Sequence, residues 1–183
     1  DFFELSGFST VAIDSEDDFV LAEAVAKSLK QKKLEPSYYN PQSKEWSEVD
    51  VPAILEKDGV QINDLFDVNL DRVSFNDILK SMPTNQSWSK RVIDTENNSM
   101  TIISQMPGEG NRRHYHPNWN EWWYILKGEW EWEIEGEIKT IIEGDFVFMK
   151  KGRKHKITAS GTSQAIRMAV SRADVPHIYD NEI

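Results

Sequence analysis

Between residues 88 and 171 the chain is a succession of short runs in which apolar and polar side chains alternate, and turn residues close most of them. A period of two marks strands that bury one face. Strands are expected at 88–93, 100–105, 112–116, 121–126, 129–135, 137–142, 146–149, 155–158 and 165–171. Strands this short, at this spacing, suit a small antiparallel barrel or sandwich, so the expected fold class is all-β.

Three of the four histidines fall in one pattern within that region. Gly108 to Gly128 reads GEGNRRHYHPNWNEWWYILKG, and Gly144 opens GDFVFMKKGRKH. His114 and His116 are two apart, so on a strand they share a face while Tyr115 points away. Glu121 begins the next apolar run, and His155 follows a glycine-bounded turn. Imidazole and carboxylate donors of this kind bind Zn, Fe, Mn, Ni or Cu, and here they can converge inside a β core. The same period of two turns Arg112 inward with the histidines, and Trp123 and Ile125 inward with Glu121. An inward arginine needs a partner and suits a carboxylate or phosphate held by two hydrogen bonds, so Arg112 is the expected anchor of an anionic substrate. Trp123 is the expected apolar wall. Trp130, Trp132 and Ile134 alternate with four glutamates, which gives a core face and a solvated face. Lys150, Lys151, Arg153, Lys154 and Lys156 form either a cationic pocket rim or an exposed turn.

On these motifs the chain resembles the cupins, double-sheet jelly-roll barrels. The family's first motif, G-x5-H-x-H-x3-4-E-x6-G, is matched at every fixed position from Gly108 to Gly128. Its second, G-x5-P-x-G-x2-H-x3-N, is matched at Gly144, Gly152 and His155, with Lys150 in place of the proline and Ala159 in place of the asparagine. The resemblance covers roughly residues 85–175. It implies a double-stranded β-helix in which His114, His116, Glu121 and His155 hold one divalent metal ion, with coordination positions left for water, substrate or O2. With Arg112 as the anion anchor, the expected function is a metal-dependent enzyme acting on a small anionic metabolite, a carboxylate, phosphate or phosphonate, of either the dioxygenase or the isomerase and lyase type. The alternative is a non-catalytic metal- or ligand-binding module. Cupins commonly form homodimers, so a homodimer is expected, with residues 35–60 covering or exchanging at a sheet edge.

Composition limits the partners. A net charge of -10 over 183 residues argues against nucleic acid or an anionic membrane as a general partner. The chain has no cysteine, which removes disulfides and thiolate ligands and fits a reducing, cytoplasmic location. Residues 1–34 differ from the rest. A strand-like run at 10–13 leads to a helix capped by Asp14 or Ser15, with Phe19, Leu21, Ala22, Val25 and Leu29 apolar and lysines near its end. The stretch STVAIDSEDDFVLAEAVAKSLK resembles the C-terminal end of sugar-acid cytidylyltransferases, without their glycine-rich nucleotide segment, so no transferase activity carries over. With Asp1 rather than Met at its start, the chain is expected to be the tail of a longer fusion protein involved in sugar or phosphonate activation. Residues 35–84 read as a proline-punctuated linker with edge strands and one short helix at 74–82, the barrel as 85–175, and 176–183 as a tail.

Overall fold

The computed structural model describes residues 39–40, 45–172 and 175–180. The expected N-terminal strand and helix, and the cytidylyltransferase-like stretch, lie outside the described residues. Every strand expected between 88 and 171 is present, with ends moved by a residue or two: β4 (Trp88–Asp94), β5 (Ser99–Gln105), β6 (Gly110–His114), β7 (Glu121–Lys127), β8 (Glu129–Ile134), β9 (Glu137–Ile142), β10 (Phe146–Met149), β11 (His155–Ala159) and β12 (Ala165–Ser171). Ahead of them come β1 (Tyr39–Asn40), β2 (Glu45–Glu48) and β3 (Ile62–Asp64), and β13 (His177–Asp180) follows.

These strands form a double-stranded β-helix, an all-β jelly roll. One sheet has the order β10-β7-β12-β5-β4-β3 and the other β6-β11-β8-β9. All pairs are antiparallel except β3 with β4. The core lies between the two sheets: Trp123, Ile125, Val147, Met149 and Ala165 from the first face Trp130, Trp132, Ile134, Ile157 and Ala159 from the second. Trp130 and Trp132 are fully buried, and Trp123 meets Trp132 edge to face at 4.7 Å. Each such indole removes roughly 150–250 Å² from water, worth about 4–6 kcal/mol before the entropy cost of ordering it. The glutamates between them face outward, as the alternation requires. Gly128, in the tight turn from β7 to β8, has φ +83°, and a Cβ there would stand 2.7 Å from that of Ala165. Glycine at this motif position is therefore a packing requirement as well as a conformational one.

Two departures from the sequence reading shape the site. Residues 35–60 are not only linker and edge strand, because helix α1 (Val51–Lys57) lies within them. Asp50 caps it by accepting from the Ala53 N–H at 3.2 Å, and Pro52 stands in its first turn, where a missing N–H costs nothing. Pro52 is thus a helix starter rather than a linker mark. The helix buries Ile54 and Leu55, and Leu55 packs with Val60 and Ile103 at the end of the barrel. The supposed C-terminal tail contains β13, which pairs with β2, while β2 also pairs with β1. The second helix, α2 (Phe75–Ser81), starts after Ser74 as expected and buries Ile78 against Trp88, Val92, Ile102 and Ile166. No helix among the described residues is long and apolar enough to cross a membrane.

Candidate metal centre

Strand pairing brings the four ligand candidates together. His155 on β11 stands opposite His114 on β6, and Glu121 opens β7 on the facing sheet. His116 follows β6 just past Tyr115, which bridges to Ile178 of β13. One nitrogen or oxygen from each of His114, His116, Glu121 and His155 lies within 4.8 Å of the others. Two ligands held by one ion at about 2.1 Å stand at most about 4.2 Å apart, so the cluster is close to the size of a coordination sphere.

The backbone sets the tautomers. His114 Nδ1 lies 2.7 Å from the Arg112 carbonyl, His116 Nδ1 2.9 Å from that of Pro176, and His155 Nδ1 3.2 Å from that of Arg153. A carbonyl only accepts, so each Nδ1 carries its proton and donates it, and each Nε2 presents a lone pair to the cluster. Pinning one ring nitrogen to orient the other is the usual arrangement around a bound metal. His155 Nε2 is buried without a protein partner. His116 Nε2 lies 2.8 Å from Glu121 Oε2, where a lone pair would face a carboxylate unless a proton or a cation stands between them. These are the features of residues built to share a cation, and the donor set fits a divalent metal.

Their electrostatics agree. Burial, reinforced by the neighbouring imidazoles, holds His114 well below the ordinary histidine value. Burial brings His155 down to about 4, against a smaller opposing pull from Glu121. For His116 burial also acts downward, but the Glu121 carboxylate and its hydrogen bond outweigh it, and the net shift is upward. Burial thus favours the neutral, ligating form of His114 and His155, while Glu121 favours the proton on His116 with which a bound cation would compete.

The fourth histidine, which the sequence pattern left out, is also here. His177 on β13 stacks on His114 with centroids 4.6 Å apart and meets His116 edge-on at 4.4 Å. Its Nδ1 donates to the Val175 carbonyl at 2.9 Å, so its Nε2 is an acceptor as well. It lies beside the four-ligand group without belonging to it. No local signal could have placed it, because its position depends on β13 returning to pair with β2, more than a hundred residues earlier.

Arg112 does not follow the histidines inward. Asn111 pairs with Ile157 and His114 with His155, so β6 spends three residue steps where β11 spends two. That extra residue is a β-bulge, which switches the facing of the strand. Asn111 and His114 consequently share the inner side, and Arg112 is turned to α1 and β13. Its Nε donates to Asp58 Oδ1 at 2.6 Å, and its Nη2 donates to Glu48 and to the Tyr179 hydroxyl. The guanidinium lies over the Tyr179 ring at 4.5 Å. The arginine has the partner that was expected, but it comes from the protein. The basic turn at 150–156 is exposed apart from His155 and the half-buried Lys154, and none of its lysines reaches the cavity.

A cavity of about 550 Å³, its mouth included, adjoins the cluster. His114, Glu121 and His177 line it, and so does the indole of Trp123. The cations lining it are Arg91, Arg167 and Arg172, and Glu121 is its one carboxylate. Arg167 is fully buried: its Nη1 donates to Gln105 Oε1 at 2.6 Å, its Nη2 to Asn111 Oδ1, and its Nε has no partner. It lies 4.4 Å over the Trp130 ring, and burial draws its pKa down to about 9. Val51, Ile54 and Leu55 of α1 close part of the cavity.

The fold is a double-stranded β-helix jelly roll with a buried cluster that could hold a metal ion, and residues 101–171 match the family model described as Cupin domain. The barrel of this chain is a cupin. Among solved structures it is similar to an uncharacterized conserved protein with a double-stranded beta-helix domain from Klebsiella pneumoniae subsp. pneumoniae MGH 78578 (21% identity, 63% of this chain and 94% of that one, TM-score 0.52). It is also similar to the polyketide cyclase RemF from Streptomyces resistomycificus (17% identity, 62% and 87%, TM-score 0.51). At these identities the likeness is one of fold. No curated protein matches the chain.

Proposed function

We propose that this cupin is a metal-dependent enzyme acting on a small anionic metabolite, a carboxylate or a phosphate or phosphonate ester. The observation that carries the reading is the charge of the cavity wall. Its lining holds one carboxylate, a metal-ligand candidate, and three arginines, of which Arg91 is paired with Asp94 and Arg167 is fully buried. Arg167 spends its hydrogen bonds on two neutral amides, and no described carboxylate lies within ion-pairing distance of it. The Glu121 and Asp58 carboxylates act on it only through space, and a buried guanidinium with no carboxylate hydrogen-bonded to it favours an anionic ligand. His114, His116, Glu121 and His155 would hold the metal, and a divalent ion there supplies Lewis acidity, with O2 chemistry open to iron. The chain's own groups divide the remaining work. The Arg167 guanidinium binds the substrate anion, Trp123 and α1 exclude water, and the Nε2 of His177 accepts a proton from the substrate or hydrogen-bonds to it.

The test begins with elemental analysis of protein purified without chelator. The metal-loaded chain is then titrated with a panel of small carboxylates and phosphate esters, and each binder is followed for consumption. Binding that weakens at least tenfold in Arg167→Met, with metal-dependent turnover, supports the proposal. Binding without turnover under any candidate metal would instead make the domain a ligand-binding module. Equal binding of neutral analogues would remove the anionic class.

A further inference from the structure

We propose that Gln105 and Asn111, both held in one orientation by Asp58, set the cavity's preference for an anion, a role that presupposes the anionic ligand proposed above and names the residues that select it. Arg167 is fully buried, and a carboxylate bonded to it would be the ordinary way to offset the desolvation of a guanidinium. Amides stand there instead. Gln105, at the end of β5, accepts from Nη1 through Oε1 at 2.6 Å, and Asn111 of β6 accepts from Nη2 through Oδ1. The guanidinium carbon lies 4.4 Å from the centre of the Trp130 ring. Carbonyl dipoles and an aromatic face stabilise a cation without cancelling its charge. Glutamate and aspartate have the shape of these two amides and would have supplied the missing counter-ion. With neutral oxygens in their place, the charge is left for a ligand.

One residue fixes both amides. An amide can turn either its oxygen or its nitrogen to a neighbour, so the atom it shows Arg167 depends on what lies behind it. Behind Gln105 is the Asp58 backbone carbonyl, which accepts from Nε2 at 3.1 Å. Behind Asn111 is the Asp58 carboxylate, whose Oδ2 accepts from Nδ2 at 3.2 Å. A carbonyl and an ion-paired carboxylate only accept, so both amides face Asp58 with nitrogen and Arg167 with oxygen. The charge of Asp58 is itself matched elsewhere, because its Oδ1 accepts from Arg112 Nε at 2.6 Å. It reaches Arg167 only through space. Asp58 is in turn fixed by the fold. Its N–H closes the last turn of α1 by donating to the Ile54 carbonyl at 3.0 Å, and Ile54 is one of the side chains that line the cavity. Asn111 reaches its place through the bulge that turns it inward on β6. The helix beside the cavity and the amides that hold its buried cation therefore meet at a single residue.

The test is isothermal titration calorimetry of the metal-loaded full chain with inorganic phosphate and with acetate at neutral pH. Wild type binds, and Arg167→Met weakens that binding at least tenfold. Gln105→Glu places a carboxylate on Nη1. It is expected to weaken binding at least tenfold as well, and to add nothing in the Arg167→Met background. Gln105→Met loses the same amide without adding charge, and binding stays within about threefold of wild type. Asp58→Ala supplies a test of sign. It removes a negative charge that acts on Arg167, which alone would strengthen anion binding. With the Asn111 amide no longer held, binding is expected to weaken instead. Thermal melts establish that each variant is folded. Equal effects of Gln105→Glu and Gln105→Met would reduce Gln105 to a packing residue, and tighter binding in Asp58→Ala would remove its orienting role. Either result overturns the proposal and leaves the anionic-ligand reading standing. Phosphate and acetate that fail to bind wild type, or that bind Arg167→Met equally well, would overturn that reading and this proposal with it.

Discussion

Lowering the pH of the metal-free protein from 7 to 5 is expected to destabilise it, and His155 supplies a calculable share of the loss. The imidazole is fully buried and its pKa is brought to about 4, against 6.5 when unfolded. Between those values the unfolded chain binds a proton that the folded chain refuses, so stability rises with pH and falls on acidification. At pH 5 an unfolded histidine is almost wholly protonated while folded His155 remains mostly neutral. The difference amounts to about 2 kcal/mol relative to pH 7, approaching about 3 kcal/mol below pH 4. His114 and His177, also held low by burial and by their neighbours, act in the same direction. His116, raised by Glu121, acts in the opposite one, stabilising below 6.5 and losing that stabilisation as pH rises through its folded value. The assay is urea unfolding of chelator-treated protein at pH 7, 6 and 5, for wild type and for His155→Gln. The variant starts less stable but should lose about 2 kcal/mol less across the range. Parallel losses in the two proteins would refute the reading that His155 is held neutral, with an unshared lone pair, at the centre of the cluster.

Elemental analysis should find near-stoichiometric metal in wild type and in His177→Asn, but at least tenfold less in His116→Ala and Glu121→Gln, since four ligand atoms converge without His177. Asp58→Ala removes a carboxylate whose side chain is 1% exposed and leaves Arg112 and the Asn111 amide short of an acceptor. With the 35% exposure of Arg112 discounted, the expected cost is about 2 kcal/mol by denaturant unfolding, and a change under 0.5 kcal/mol would contradict the assigned pairing. Gly110→Ala would place a Cβ 1.8 Å from the Ile157 carbonyl oxygen, so β6 and β11 must part beside the bulge. A loss of about 3 kcal/mol together with weakened metal binding is expected, read from melts and metal content.

The strands and the four metal-ligand candidates were legible in the chain because both depend on local rules. Alternation over five to seven residues sets which side chains share a face, and ligand chemistry belongs to the residue type. That is why 129–134 could be divided into buried tryptophans and solvated glutamates before any pairing was known. Local rules failed at specific places. Pro52 reads as a linker until Asp50 before it and Ile54 and Leu55 after it are seen to cap and bury a helix. The period of two carried Arg112 inward, and a single extra residue in β6 reversed it, because a bulge is a property of the paired strand on β11 as much as of β6 itself. Arg167 looked like one polar residue in an apolar run, AIRMAVS, and became the buried cation of the cavity only where β12 lies between β5 and β7. What the sequence determined by itself was therefore the all-β class and the ligand types with their spacing. The tertiary structure decided which cations line the cavity and brought His177 beside the ligand cluster, because both depend on pairings between strands far apart in the chain, where no short window of sequence holds both partners.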